Sequence, residues 1–274
     1  MLGRLLSSAL PIVPRPIVAR VARRYIAGET LDSAVALVQA LNKRGWVATV
    51  DLLGEDIVEA EQSEMATHRV TNVMEALHAN ECQAGASIKL TQLGIRFDEA
   101  LCQRNVQTIL EHAQRHNRFV RIDMEDSSLT SKTIETYKQA RQNVPNQRIG
   151  TVLQAYLYRT QNDIDTLLKA DVLPDLRICK GIYREPPEQA FTVRSLVTRN
   201  FIHCVKTLLA AGAKTAIATH DIVIIDALQE YIETHEIDRS LYEFQALLGV
   251  PIERTLQRLS DAGHRVRIYV PFGA

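Results

Sequence analysis

Val120-Arg-Ile-Asp-Met-Glu-Asp126 is the stretch that decides how this chain is read. Apolar Val120, Ile122 and Met124 alternate with Arg121, Asp123 and Glu125, which is the period of a β-strand. A strand covered on both faces of a parallel sheet should instead be a near-continuous apolar run. Three charges on one face therefore line either solvent or a polar cavity, because a buried charge is costly unless it is paired.

Segments of similar form lie on both sides. Upstream are Val47-Ala-Thr-Val-Asp-Leu-Leu-Gly54 and Ala86-Ser-Ile-Lys-Leu-Thr-Gln-Leu93. Downstream are strands over 150–157, 176–181, 215–220, 242–248 and 265–270. Helical patterns fill the gaps, near 56–81, 97–115, 129–142, 161–169, 188–211, 222–234 and 252–262. An earlier helix opens at Thr30-Leu-Asp32, runs to about Asn42 and is stopped by Gly45. Eight strands alternating with helices predict α/β structure with a parallel sheet. The count of eight favours a closed (β/α)8 TIM-like barrel over an open doubly wound sheet. Neither GxGxxG nor GxxxxGK[ST] follows any strand. No linker-like composition interrupts residues 45–270, so the expected organisation is an N-terminal helical segment over 1–45 and a barrel domain over 46–274.

Lys plus Arg, 32 in all, balance 32 Asp plus Glu, so total charge gives no reason to expect a nucleic-acid partner. Cys82, Cys102, Cys179 and Cys204 are scattered, which reads as reduced thiols in the cytoplasm. No apolar run reaches the roughly 18 residues of a membrane span. Arg4, Arg15, Arg20, Arg23 and Arg24 precede the first acid, Glu29. That basic segment suits a transit peptide, a membrane-surface helix or a helix covering one end of the domain. Pro11, Pro14 and Pro16 argue against one continuous amphipathic helix.

In a barrel the catalytic residues come from the C-terminal ends of several strands. Polar residues stand near the end of almost every strand here: Asp51, Lys89, Asp123 and Glu125, Gln154, Arg177 and Lys180, Thr219, His220 and Asp221, Glu243 and Gln245. Packing alone does not require that, so a functional pocket is expected. Lys89 or Lys180 could form a Schiff base. A flavin would use a cation near its ring and positive charge at its pyrophosphate, for which Arg177, Lys180, Gly181, Gln154 and His220 are suitable. No metal site is expected, since one histidine lies at a strand end and no HxH or HxxxH motif is read. His68, His78, His112, His116, His203, His235 and His264 are assigned to surface or packing.

Nine segments, in order, resemble the proline dehydrogenase family in its single-function bacterial form. They include Tyr25-Ile-Ala-Gly-Glu29, Asp51-Leu-Leu-Gly-Glu55, Ser87-Ile-Lys-Leu-Thr-Gln-Leu-Gly94, Arg121-Ile-Asp-Met-Glu-Asp126, Arg177-Ile-Cys-Lys-Gly-Ile-Tyr183 and Ala218-Thr-His-Asp221. The resemblance implies a distorted (β/α)8 barrel that holds FAD. It implies oxidation of L-proline to Δ1-pyrroline-5-carboxylate by hydride transfer to flavin N5, with electrons passed to a quinone and a peripheral contact with the inner face of the cell membrane. By resemblance, Lys89 meets the proline carboxylate and Asp123 is the active-site aspartate. Met124, Gln154, Lys180, Gly181, Ile182, Thr219 and His220 match cofactor contacts, and Arg177 matches the residue near N5. Glu243 and Gln245 match a pocket-lining motif. The family pattern continues past the eighth strand into a helix with a tyrosine and two adjacent arginines, whereas the sequence given stops at Gly273-Ala274. Impaired catalysis, in a barrel retained for binding or assembly, is therefore carried as an alternative, beside the Schiff-base enzyme.

Overall fold

The computed structural model describes residues 24–54, 57–143 and 148–273. Its elements run α1 (Leu31–Lys43), β1 (Val47–Leu52), α2 (Ala60–Ala79), β2 (Ala84–Ile88), α3 (Glu99–Arg115), β3 (Val120–Ile122), α4 (Thr130–Asn143), β4 (Ile149–Gln154), α5 (Thr160–Leu168), β5 (Asp175–Cys179), α6 (Arg194–Ala210), β6 (Lys214–Ala218), α7 (Ile222–Thr234), β7 (Tyr242–Leu247), α8 (Glu253–Asp261) and β8 (Val266–Phe272). The strands follow one another in sequence order as a closed parallel barrel, the (β/α)8 architecture expected from the eightfold pattern. The chain divides into two compact units, one of Met1–Arg118, Leu247–Pro251 and Ile268–Ala274, the other of Phe119–Ala246 and Ile252–Arg267. The basic segment over 1–23 lies outside the described residues.

In the first unit, Thr30 caps α1 by accepting a bond from the Ser33 amide, and Ala34, Val35, Val38 and Leu41 form its buried stripe. Asp98 caps α3 in the same way, through the Leu101 amide. β1 and β2 pair in parallel, with Asp51 opposite Ser87. The Tyr25–Glu29 segment is fastened to the end of β8, where the Ala27 amide donates to the Pro271 carbonyl at 2.8 Å and the Gly273 amide donates to Gly28 at 3.0 Å. Gly28 has φ +130, and a Cβ there would meet the Ser33 side chain at 2.8 Å, so the turn requires glycine.

In the second unit β3 to β7 pair in parallel, with Val152 opposite Arg177, Arg177 opposite Ala216 and Ala216 opposite Glu243. Helices α6 and α7 turn apolar faces inward, including Phe201, Cys204, Leu208, Ile224 and Leu228, all fully buried. Two boundaries differ from expectation. β3 has three residues rather than seven, so Asp123 to Asp126 lie beyond its C-terminal end. The helix expected from 188 begins at Arg194. Pro186 and Pro187 stand just before, and the chain there is drawn into bonds with Tyr156 and Tyr158 (Phe191 amide to Tyr156 carbonyl, 2.7 Å; Tyr158 amide to Gln189 carbonyl, 3.0 Å). Among the described residues no helix is long and apolar enough to cross a membrane.

Candidate active site

Lys89 immediately follows β2. The chain then turns through a short 3-10 helix, Leu90–Gln92, where the reading of the sequence continues the strand. That turn is buried, and the Gln92 amide donates back to the Lys89 carbonyl at 3.1 Å. The Gln92 side chain donates to the carbonyls of Leu52 and Gly54. The backbone thereby stops at Lys89 and sends its side chain to Asp51, with Nζ 2.5 Å from Oδ1. Both side chains are about 4% exposed. An ammonium at that depth is tolerable because a carboxylate meets it.

The second unit holds the larger group. Asp123, one residue past β3, accepts from Arg177 Nη2 at 2.8 Å. Arg177 is in the middle of β5 and its side chain is 13% exposed. Gln154 ends β4 and is buried. Its side-chain nitrogen donates to the Glu125 carbonyl at 2.8 Å, while Thr160 donates to the Gln154 carbonyl at 2.6 Å. Met124 and Glu125 are buried beside them in sequence. Asp123 and Arg177, by resemblance the active-site aspartate and the residue near N5, are thus joined directly across 54 positions of chain.

Past the end of β5, Lys180 forms an ion pair with Asp221, and both side chains are about one-third exposed. Asp221 also caps α7 by accepting from the Val223 amide at 3.1 Å. The bond from Lys180, with its charge and the amides at the helix start, holds the Asp221 carboxyl below its ordinary range against a smaller opposing effect of burial. Gly181 has φ +106, and a Cβ would fall 2.2 Å from the Tyr156 ring, so the segment after β5 can pass that ring only as glycine. Ile182 is 52% exposed, an apolar residue left open at a strand end. Thr219 accepts from the Asp221 amide at 3.1 Å, and His220 is exposed.

Glu243 and Gln245 are on β7, but Glu243 is its second residue. It receives two bonds from Arg267, at 2.7 and 3.0 Å, and faces Arg265 at 3.4 Å. Burial pushes its carboxyl up, but the charge and bonds of Arg267, with Gln245 and Arg265, overcome this and hold it at about 2. With Arg121, Asp175, Lys214 and Arg239 it lines a cavity of about 450 Å³ at the N-terminal ends of these strands. Arg121, read from the sequence as sharing a face with Asp123, points there too, bonded to Asp175 at 2.8 Å. The structure therefore does not bring Glu243 to the strand ends that carry Lys180 and Asp221.

One residue of the site escapes the sequence reading. Glu185 accepts from the Ser127 amide at 2.8 Å, from the Ser127 hydroxyl and from Tyr156 Oη at 3.3 Å. It ties the loop after β3 to the segment after β5. Burial and then Glu185 raise the Tyr156 phenol, which stays protonated. Nothing in the spacing of Ser127, Tyr156 and Glu185 announces that contact. Cys179 is no nucleophile, because burial pushes its thiol up. Both candidate Schiff-base lysines are ion-paired with aspartates, Lys89 with Asp51 and Lys180 with Asp221.

Comparison with known proteins converges on one family. The family model for proline dehydrogenase matches residues 34–274. Proline dehydrogenase 1 of Bacillus subtilis is 36% identical over 252 residues, covering 92% of this chain and 82% of that protein. Proline dehydrogenase of Deinococcus radiodurans is 36% identical over 278 residues, covering 97% and 88%. Among solved structures, proline utilization A from Bdellovibrio bacteriovorus superposes with a TM-score of 0.85 at 23% identity, over 94% of this chain and 31% of that much longer one. That likeness concerns the barrel, of which this chain spans about a third of the longer protein's length. A family model over residues 34–274 and two relatives at 36% identity, each covered over more than four-fifths of its length, leave a single assignment: the chain belongs to the proline dehydrogenase family.

Proposed function

We propose that this chain oxidises L-proline to Δ1-pyrroline-5-carboxylate, the first step of proline breakdown, with FAD as its cofactor. Family membership supports the reaction, and the Arg177–Asp123 pair is the single structural observation that carries it to named residues. Residues 46–274 are proposed as the catalytic domain, preceded by an N-terminal segment over 1–45 that includes α1 (Leu31–Lys43).

The residues present suit a flavin. Gln154 on β4 and Arg177 on β5 occupy neighbouring strands and offer an amide and a guanidinium. Lys180 adds a second cation, Met124 an apolar contact, and Ile182 an open apolar one. Gly181 lets the backbone run flat past Tyr156, and Thr219 and His220 add polar groups after β6. A ring with one polar and one apolar edge needs that mixture, and a pyrophosphate needs positive charge. When bound, FAD supplies the acceptor for the hydride lost from the carbon beside the proline nitrogen. The electrons are proposed to go on to a quinone, through a peripheral contact with the membrane surface.

The chain's own residues then have separable tasks. Lys89, fixed in direction by Asp51, receives the substrate carboxylate. Arg177 supplies a fixed positive charge to an electron-rich ring. Two unit charges about 4 Å apart interact by on the order of 4 kcal/mol at an effective dielectric of 20. Asp123 orients the guanidinium and cancels part of its field, so the net effect is smaller. The proposal is tested by stopped-flow reduction with L-proline under anaerobic conditions. Arg177→Met is expected to lower the limiting rate more than it raises the proline dissociation constant, and Lys89→Met to do the reverse. If Arg177→Met raised only the dissociation constant, its assigned role would be wrong.

A further inference from the structure

The expectation that no histidine spacing is of metal-ligand type overlooks His112-Ala-Gln-Arg-His116. Residues four apart on a helix share one face. On α3 this places His112 in the last turn and His116 at the C-cap. The adjoining helix α2 brings Glu75 to the same place. One ligand atom from each of Glu75, His112 and His116 lies within 4.8 Å of the others. A metal at about 2.0–2.2 Å from each needs separations somewhat below that, which small side-chain rotations supply.

A second observation points the same way. Nδ1 of His112 is buried and has no hydrogen-bond partner among the described residues. Its nearest ionic neighbour, Glu75 Oε1, is 3.6 Å away, beyond hydrogen-bond range. Buried polar atoms are almost always satisfied, so an orphan facing a carboxylate calls for an explanation such as an ion. The scaffold beneath is held firmly. Arg118 donates to the carbonyl of Leu77 at 3.0 Å and to that of Cys82, fastening the end of α2 to the segment after α3. His78, one turn past Glu75, sets its ring 4.9 Å from that of His116 and adds a flanking imidazole.

We propose that Glu75, His112 and His116 form a site for a divalent transition-metal cation, zinc by residue type, that clamps α2 to α3. Two imidazoles and one carboxylate are the ligand set that zinc accepts, and partial exposure leaves water to complete a tetrahedron. The site uses no residue assigned to proline oxidation, so it stands or falls separately from that reading.

The test is calorimetric titration of the full chain, stripped with EDTA, using zinc chloride. One zinc per chain is expected. Glu75→Gln, His112→Ala and His116→Ala are each expected to weaken binding by at least the roughly 10- to 100-fold that loss of an outer partner costs a metal site. Zinc should raise the Tm of the wild type and leave that of the H112A/H116A double variant unchanged. Glu75→Gln alters an exposed carboxylate without removing volume, so weakened binding in that variant cannot be ascribed to unfolding. Absence of binding at millimolar zinc, or equal affinity in the wild type and the double variant, would overturn the proposal.

Discussion

The second unit carries two charged clusters on the same strands, and they differ in kind. At the N-terminal ends, Arg121 is bonded to Asp175 and Arg267 grips Glu243 with two bonds. Arg121 also donates to the Thr151 and Asp175 carbonyls, at 3.0 and 3.1 Å. Toward the C-terminal ends Arg177 meets Asp123 at 2.8 Å, and Lys180 meets Asp221 in partial exposure. The first cluster spends its donors on the barrel itself. The second is more open at Lys180–Asp221 and lies beside an exposed Ile182 and a glycine-only turn, the surroundings proposed for the cofactor. Charge on a strand is therefore not by itself a mark of function; under the proposed function, the end of the strand on which it is spent decides.

That contrast can be broken at its strongest point by exchanging one arginine from each cluster. Arg177→Met is expected to slow proline-dependent reduction by about 10²- to 10³-fold, the usual cost of losing one preorganised donor, with little loss of stability. Arg121→Met is expected to behave oppositely. It leaves the Asp175 carboxylate without its guanidinium and should cost about 3 kcal/mol in urea unfolding, with turnover per folded molecule unchanged. If both variants lost stability alike and kept turnover alike, the distinction between the clusters would fail.

Acid sharpens the comparison. The Glu243 carboxyl sits near 4.5 in the unfolded chain and is held at about 2 in the folded one. Between those values the unfolded chain binds the extra proton. The stabilisation is therefore complete above pH 4.5 and is lost as pH falls toward 2. It amounts to something of the order of 3 kcal/mol. In Glu243→Gln, denaturant midpoints measured across that interval should fall less steeply. The smallest effect is expected at Lys180–Asp221. Its side chains are 37% and 28% exposed, so Asp221→Asn should change stability by less than about 1 kcal/mol.

The barrel was legible because alternation of strand and helix repeats eight times, and local pattern carries that information. Lys89, Asp123, Gln154, Arg177 and Lys180 were legible as a set because a polar residue at a strand end resists explanation by packing. What local pattern does not carry is pairing. Asp123 and Arg177 are 54 residues apart, and only the barrel brings them to 2.8 Å. Arg121 and Asp123 look equivalent by alternation, yet β3 ends between them, and one points toward each end of the strand. Glu243 matches a pocket-lining motif by resemblance, yet as the second residue of β7 it spends its carboxylate on Arg267. The turn after Lys89 hid because Leu90-Thr-Gln92 reads equally well as strand. The helix start at Arg194 hid because what delays it is a bond to Tyr156, far away in sequence. His112 and His116 read as surface residues because they lie at the end of a helix, away from the strand ends.

The measurement that tests the central claim most directly is a visible spectrum of the purified chain supplied with FAD, followed by anaerobic addition of L-proline. A flavin band that bleaches with proline, and does so far more slowly in Arg177→Met, is the predicted result. A chain that remains colourless after incubation with FAD and shows no proline-dependent reduction would contradict it.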